Sequence, residues 1–274
     1  MKIAYLGPSG SFTHNAALKA FLGQDLVPYA NITDVIKAYE NAQVDFAIIP
    51  VENSIEGSVH ETLDYLFHQA DIKAVAEVVQ PIQQQLMVCQ VDRKIEKIFS
   101  HPQALAQGKA YIDQHYPDAK VEVTASTAYA ARYVAEHPDQ PFAAIAPSMA
   151  AREYGLTIIA QDIQEIDENY TRFWVLGKRT PELPLPGQTS KISLALTLPD
   201  NLPGALYKAM SVFAWRSIDM TKIESRPLKT MLGEYFFIID LDNQARDLVA
   251  FALEELKTLG IDYKIMGQYQ VYSI

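Results

Sequence analysis

Cysteine is almost missing from this chain: Cys89 is the only one in 274 residues, so no intrachain disulfide can form. Its place in the apolar run "QLMVCQ" reads as a small buried side chain rather than a reactive thiol. No apolar run approaches the roughly 18 residues of a membrane span. "MKIAYLG" enters a strand pattern without a signal peptide, so no membrane partner and a cytoplasmic location are expected. Positive charge is also scarce, with 23 Lys and Arg against 33 Asp and Glu, a net charge of -10 and a pI near 5.1. The cations are scattered without a basic stripe or aromatic interleaving, which argues against nucleic acid as a partner. Metal-ligand spacing, a G-x-S-x-G elbow, a Walker sequence and G-x-G-x-x-G are all absent, so metal, serine-hydrolase and nucleotide chemistry lose their usual signals.

What is present fits a folded protein of two domains, with 49% hydrophobic and 20% charged residues. Up to about Leu176, short apolar runs ("KIAYL", "DFAIIP", "KIFS", "KVEV", "FAAIA") alternate with helical spacing such as Ile32, Val35, Ile36 and Tyr39. This predicts an α/β sheet of mainly parallel strands. A weak internal echo relates "KIAYLGPSGSF…DFAIIPVENS" to "EKIFSHPQALA…PFAAIAPSMA", and two similar lobes facing a cleft would account for it. "GKRTPELPLPGQTS" carries three prolines and two glycines without periodicity and reads as a linker. Beyond it the order is strand, helix, strand, strand, helix, strand, the βαββαβ ferredoxin-like split motif.

Polar residues gather where strands give way to helices. In "GPSGSFTHNAA", Gly7, Gly10, Ser11 and Thr13 follow the first strand, where free N–H groups either are capped or receive an anion. In "IIPVENSIEGSVHETL", Ser58 and Glu61 already match an S-x-x-E capping box, leaving Glu52, Asn53 and Ser54 without a capping role. In "FSHPQALAQ", Ser100 and Gln103 match a capping box, Pro102 suits a first turn, and His101 reads as capping or packing. Gln107 lies one turn beyond Gln103 on the same face and is not explained by capping. Ser126 and Thr127 open another helix in "TASTAYAARYV", with capping and anion binding both open. Finally "ENYTRFWVL" reads as a strand that contains Arg172. An edge arginine reaching solvent and a site residue are both open, and alternation sets Thr171 and Phe173 on one face and Arg172 on the other. If Thr171 and Arg172 serve one site, an irregular strand end is expected there.

Taken in order, "GPSGSFT", "PVENSIEGSV", "SHPQALAQ", "ASTAYAA" and "NYTRFWVL" resemble prephenate dehydratase, and "PDNLPGALYKAMSVF" with "TKIESRPLK" resembles the attached ACT regulatory domain. The resemblance covers essentially the whole chain. It implies a two-lobed catalytic domain like the periplasmic binding proteins at 1–177, a linker at 178–189 and an ACT domain at 190–274. It further implies conversion of prephenate to phenylpyruvate in L-phenylalanine biosynthesis, with no cofactor. A chorismate mutase activity, carried by many bifunctional relatives on a preceding helical domain, is not expected, since a strand begins at Lys2. The site residues carried over are Thr171, Arg172 and Phe173 as the central motif, with Asn53, Glu52, Ser100 and Gln107, and Ser11, Ser54, Ser126 and Thr127 against substrate. Arg172 is expected on the pyruvyl carboxylate, Thr171 on the departing hydroxyl, and Glu52 as a relay for its proton. Asn201, Pro203, Gly204, Ala205, Leu206, Glu224, Ser225 and Arg226 match the phenylalanine-binding regions, which implies feedback inhibition by L-phenylalanine and a homodimer or homotetramer paired through ACT domains. Ser217 stands at a turn where relatives often have glycine. Two alternatives are arogenate dehydratase, which needs only one changed contact, and a non-catalytic phenylalanine-sensing protein, against which Thr171 speaks.

Overall fold

A computed structural model describes residues 1–198, 203–230 and 234–274. These form two compact units, Met1–Thr62 with Val79–Phe173 and Ile274, and Leu63–Val78 with Trp174–Ser273.

The first unit opens with β1 (Lys2–Leu6), α1 (Phe12–Ala20), β2 (Asp25–Tyr29), α2 (Ile32–Glu40) and β3 (Phe46–Asn53). Both β2 and β3 run parallel to β1. Burial on both faces explains the continuous apolar run from Phe46 to Ile49, all of it in the core. Next come β4 (Gly57–Ser58), α3 (His60–His68) and β5 (Ala74–Pro81). Ser58 pairs with Glu52 in the β3–β4 hairpin, and α3 starts two residues later, so the expected capping box is not the start of that helix.

A second lobe of the same unit comprises β6 (Gln85–Val88), β7 (Lys97–Ser100), α4 (Pro102–Gln107), α5 (Lys109–His115), β8 (Lys120–Val123), α6 (Thr127–Ala135), β9 (Phe142–Ala146), α7 (Ser148–Tyr154) and β10 (Thr157–Ala160). Its sheet has the order β10-β6-β9-β7-β8. The sequence predicts mainly parallel strands, and β7, β8 and β9 comply, whereas β6 runs antiparallel to β9 and to β10. The chain enters this lobe along β6 and leaves along β10, so these neighbours must point opposite ways. The two crossings lie side by side, with Ile82 N–H donating to Asn169 O at 2.8 Å and Ile163 N–H to Gln84 O at 3.0 Å. The chain then forms β11 (Tyr170–Leu176), the neighbour of β3. The echo noted in the sequence thus corresponds to a two-lobed fold of the periplasmic-binding-protein kind.

In the second unit β12 (Gly187–Thr197), α8 (Ala205–Ala214), β13 (Met220–Pro227), β14 (Tyr235–Asp242), α9 (Arg246–Thr258) and β15 (Asp262–Ser273) complete the βαββαβ ACT fold, with neighbours antiparallel in the order β13-β14-β12-β15. Ile192, Leu194 and Leu196 pack in one core with Val212, Phe213, Val249 and Leu256 of the helices. Ser193, on the alternate face, is buried and donates to Asp240 Oδ1. Ser217 has φ +53°, in the left-handed region that favours glycine and costs a serine about 1 kcal/mol.

Residues Leu63–Val78 belong to this unit because α3 is tied to its strands. Arg226 donates to Asp64 from Nε at 3.2 Å and from Nη2 at 3.0 Å, Lys229 lies 2.7 Å from the same carboxylate, and Phe67 stacks on Phe236. Lys264 Nζ donates to the carbonyls of Leu66, Phe67 and Ala70, which are left open at the end of the helix. Burial opposes the charge on Asp64, but the hydrogen bonds and charges of Lys229 and Arg226 outweigh it and hold its carboxyl below the usual range. With the folded value below the unfolded one, the stability from these ties is present above the unfolded value and lost as pH falls through the folded one. Thermal melts across the acid range are therefore expected to show a limb that Asp64→Asn flattens; an identical limb in that variant would remove Asp64 as its origin.

Candidate active site

A cavity of about 460 Å³ lies between the lobes of the first unit, within the size range of small-molecule sites. Its wall includes Ser11 and Thr13 after β1, Asn53 and Glu56 after β3, Gln84 at the first crossing, His101 and Gln107 of the α4 segment, Ser126 and Thr127 at α6, and Thr171 on β11. Strand ends and helix starts meet here because each βα unit delivers its polar turn to the same end of its sheet.

Gly10 makes the first of these turns possible. Its φ is +81° and a Cβ there would meet Ala150 Cα at 3.1 Å, so both conformation and space require glycine. Ser11 then caps α1, accepting from His14 N–H at 3.1 Å, and Ser126 caps α6, accepting from Tyr129 N–H at 3.1 Å. Capping and exposure to the cavity, left as alternatives by the sequence, coincide in both serines. Two helix N-termini of nine-residue helices thus face the cavity with open N–H groups and positive potential. Among its described lining residues none is lysine or arginine. His101 caps α4, and burial pushes its imidazole below the ordinary value against the opposing charge of Glu56.

The centre of the wall is a cluster around Asn53. Its Oδ1 accepts from Ile55 N–H at 3.0 Å and Glu56 N–H at 3.1 Å, an Asx turn that bends the chain out of β3. This leaves Nδ2 to donate to Asn169 Oδ1 at 2.7 Å, Thr171 Oγ1 at 3.0 Å and Tyr170 O at 3.2 Å. Asn53 therefore has the turn-forming role and a polar contact to Thr171 at once. Gln107 Oε1 accepts from Gln84 Nε2 at 3.2 Å, and its backbone carbonyl accepts from Glu165 N–H, so the second crossing holds it in place.

Other sequence candidates lie elsewhere. Arg172 is not on the cavity wall; its Nη1 donates to Glu52 Oε2 at 2.5 Å, with the two side chains 16% and 25% exposed. Alternation along β11 explains this, since Thr171 lies beside Asn53 and Arg172 beside Glu52. The guanidinium fork expected on a substrate carboxylate is on Glu52, and Glu52 in turn is no lining group. Phe173 is in the core at 1% exposure. Ser100 is fully buried, and its hydroxyl donates to Ile145 O at 2.6 Å across β7 and β9; the cap of α4 is His101. Ser54 accepts from Tyr170 N–H at 2.9 Å and donates to Glu168 O, clasping the segment before β11. Gln84 was missed by the sequence reading, which placed Asn169 only within a stretch from Asn169 to Phe173 approaching the cleft; both are buried polar residues in crossings, and burial of a polar residue in a loop has no sequence pattern.

The sequence model of the prephenate dehydratase family matches residues 3–181. A prephenate dehydratase of Lactococcus lactis subsp. cremoris is 54% identical over 276 residues, covering 100% of this chain and 99% of its own. The chain belongs to the prephenate dehydratase family. Among solved structures, prephenate dehydratase from Streptococcus mutans is 51% identical, with 99% of each chain covered and a TM-score of 0.67. Prephenate dehydratase from Arthrobacter aurescens in complex with L-Phe is 31% identical, covers 98% of this chain and 90% of its own, and gives a TM-score of 0.84.

In this member of the prephenate dehydratase family, the residues matched to phenylalanine-binding regions lie at α8 and β13. Gly204 starts α8 with φ +82°, preceded by Pro203 and followed by Ala205 and Leu206. On β13, Glu224 and Arg226 share a face, with Glu224 3.5 Å from Lys222 and Arg226 on Asp64, while Ser225 is exposed on the other face. Asn201 lies outside the described residues.

Proposed function

We propose that this chain converts prephenate to phenylpyruvate, carbon dioxide and water, as a carbon-oxygen lyase of L-phenylalanine biosynthesis in the cytoplasm. The observation that carries this reading is the Thr171 hydroxyl on the wall of a 460 Å³ cavity, with its oxygen already accepting from Asn53. Breaking the bond to the ring carboxylate sends an electron pair into the ring, the C4–O bond breaks, and hydroxide leaves and takes up a proton. Aromatisation drives the step, so the protein's task is to orient a dianion and support the departing oxygen, and no cofactor is required. Because Thr171 Oγ1 accepts one hydrogen bond, its own proton is available for the leaving hydroxyl.

With no lysine or arginine among the described lining residues, the helix N-termini at Ser11, Ser126 and Thr127 are the groups that would receive the carboxylates. A helix N-terminus carries only about half a unit charge, so it anchors the dianion while stabilising the ring carboxylate less than a full cation does. Gln107 adds an amide to the wall, and Glu52 with Arg172 braces the strand beneath. Catalysis belongs to residues 1–177 and regulation to the ACT fold at 190–274, where L-phenylalanine inhibits and where two copies pair into a dimer or tetramer. The L-Phe complex of the Arthrobacter aurescens relative supports the regulatory part.

Steady-state assays of purified protein with prephenate, with and without L-phenylalanine, test this reading. Phenylpyruvate should form and L-phenylalanine should suppress it. Phenylalanine formed from arogenate, with prephenate inert, would replace the substrate, and no product from either would overturn the reading.

A further inference from the structure

Asn169 is completely buried at the end of the second crossing, one residue before β11. Its Oδ1 accepts the shortest of the three hydrogen bonds from Asn53 Nδ2, 2.7 Å against 3.0 Å to Thr171 Oγ1 and 3.2 Å to Tyr170 O. The amide of Asn53 cannot be reversed, because Ile55 N–H and Glu56 N–H both point at its oxygen. Nδ2 therefore has two protons, and Asn169 takes one along the shortest contact. That choice fixes the plane of the amide and directs the other proton toward Thr171 Oγ1. The backbone of Asn169 is fixed too, since its carbonyl accepts from Ile82 N–H in the neighbouring crossing.

The Asn169 amide is half used. Among the described residues its Nδ2 has no hydrogen-bond partner although it is buried. The side-chain carbonyl is the part of the amide that Asn53 draws on.

We propose that Asn169 is a positioning residue for the reaction proposed above, holding Asn53 so that Thr171 keeps its oxygen as acceptor and its proton toward the leaving hydroxyl. The inference rests on that functional reading and acts through Thr171 without contact to substrate. Without Asn169, the Asn53 amide can rotate toward Tyr170 O, and Thr171 loses the donor that sets its direction. A misplacement of about 1 Å costs about 10²-fold in rate.

Asn169→Leu removes the acceptor at similar volume and is expected to lower kcat about 10²-fold with KM little changed. In a Thr171→Val background the same substitution should have almost no further effect on kcat, whereas a merely structural role would lower both backgrounds alike. Asn169→Asp keeps an oxygen toward Asn53 Nδ2 and should retain most of kcat, which gives a readout should the leucine variant fail to fold. Wild-type kcat in Asn169→Leu, equal losses in both backgrounds, or a loss in Asn169→Asp as large as in Thr171→Val each overturn the inference. A crystal structure of the leucine or aspartate variant decides the geometry independently of turnover. The Asn53 Nδ2 to Thr171 Oγ1 contact should open in the former and persist in the latter, and the reverse result overturns the inference. If the wild type leaves prephenate unchanged, the functional reading fails alone, and the crystallographic comparison still tests Asn169.

Discussion

Valine at position 171 is expected to lower kcat for prephenate by about 10²–10⁴-fold, the range for loss of a positioned proton donor, with a much smaller change in KM. The substitution keeps the branched shape that suits β11 and deletes only the hydroxyl. Asn53 retains Asn169 Oδ1 and Tyr170 O as acceptors, so its turn should survive. In the function proposed above, the helix N-termini at Ser11 and Ser126 hold the dianion, and the substitution does not touch them. A selective loss of kcat would separate transition-state support from substrate binding. Serine at the same position keeps the hydroxyl but frees its rotamer, so it should recover most of the rate. Phenylpyruvate formation under steady-state conditions measures all three proteins. A valine variant within tenfold of wild type would remove Thr171 from the chemistry.

Truncating Arg172 should act on stability instead. Its partner Glu52 would lose this ion pair in a site that is three-quarters buried. Breaking a fully buried pair costs about 3–5 kcal/mol, and partial exposure lowers the expectation for Arg172→Met to roughly 2–4 kcal/mol. The pair also binds β3 to β11, the two strands that carry Asn53 and Thr171, so catalysis should weaken with it. Adding Glu52→Gln removes the carboxylate that Arg172 neutralises and should restore part of the lost stability. Urea denaturation of the single and double variants gives the coupling directly. No recovery in the double variant would mean that Arg172 is engaged by something other than Glu52.

The two cases show how far residue patterns reach. The βα turns, the capping serines Ser11 and Ser126, and the βαββαβ order are local, set by periodicity and by the needs of helix ends, and all were legible. Asn53 stood out as a residue that helix capping did not explain, whereas Thr171 came with the family resemblance. The sequence could not say which neighbours in "TRF" meet the cavity. Alternation separates Thr171 from Arg172, but which face is the cavity depends on β3 lying next to β11, a pairing between segments 118 residues apart. Ser100 misled because S-x-x-Q looks like a cap, yet the cap is His101 and the serine closes β7 onto β9.

The burial of Asn169 and its bond to Asn53 lie beyond pattern. A polar residue in a loop reads as solvent-facing, and only the packing of two crossings turns it into a buried acceptor. The placement of α3 is similar: its apolar spacing makes it a helix, but Arg226, Phe236 and Lys264 assign Leu63–Val78 to the second unit. By itself the sequence determined the elements, their order and the family, because these follow from short-range periodicity, turn chemistry and ordered motifs. Only the tertiary structure decided that Asn53 donates to Thr171, that Arg172 pairs with Glu52 and that the starts of α1 and α6 line one cavity. Those outcomes depend on hydrogen-bond directions and on distances between residues remote in the chain.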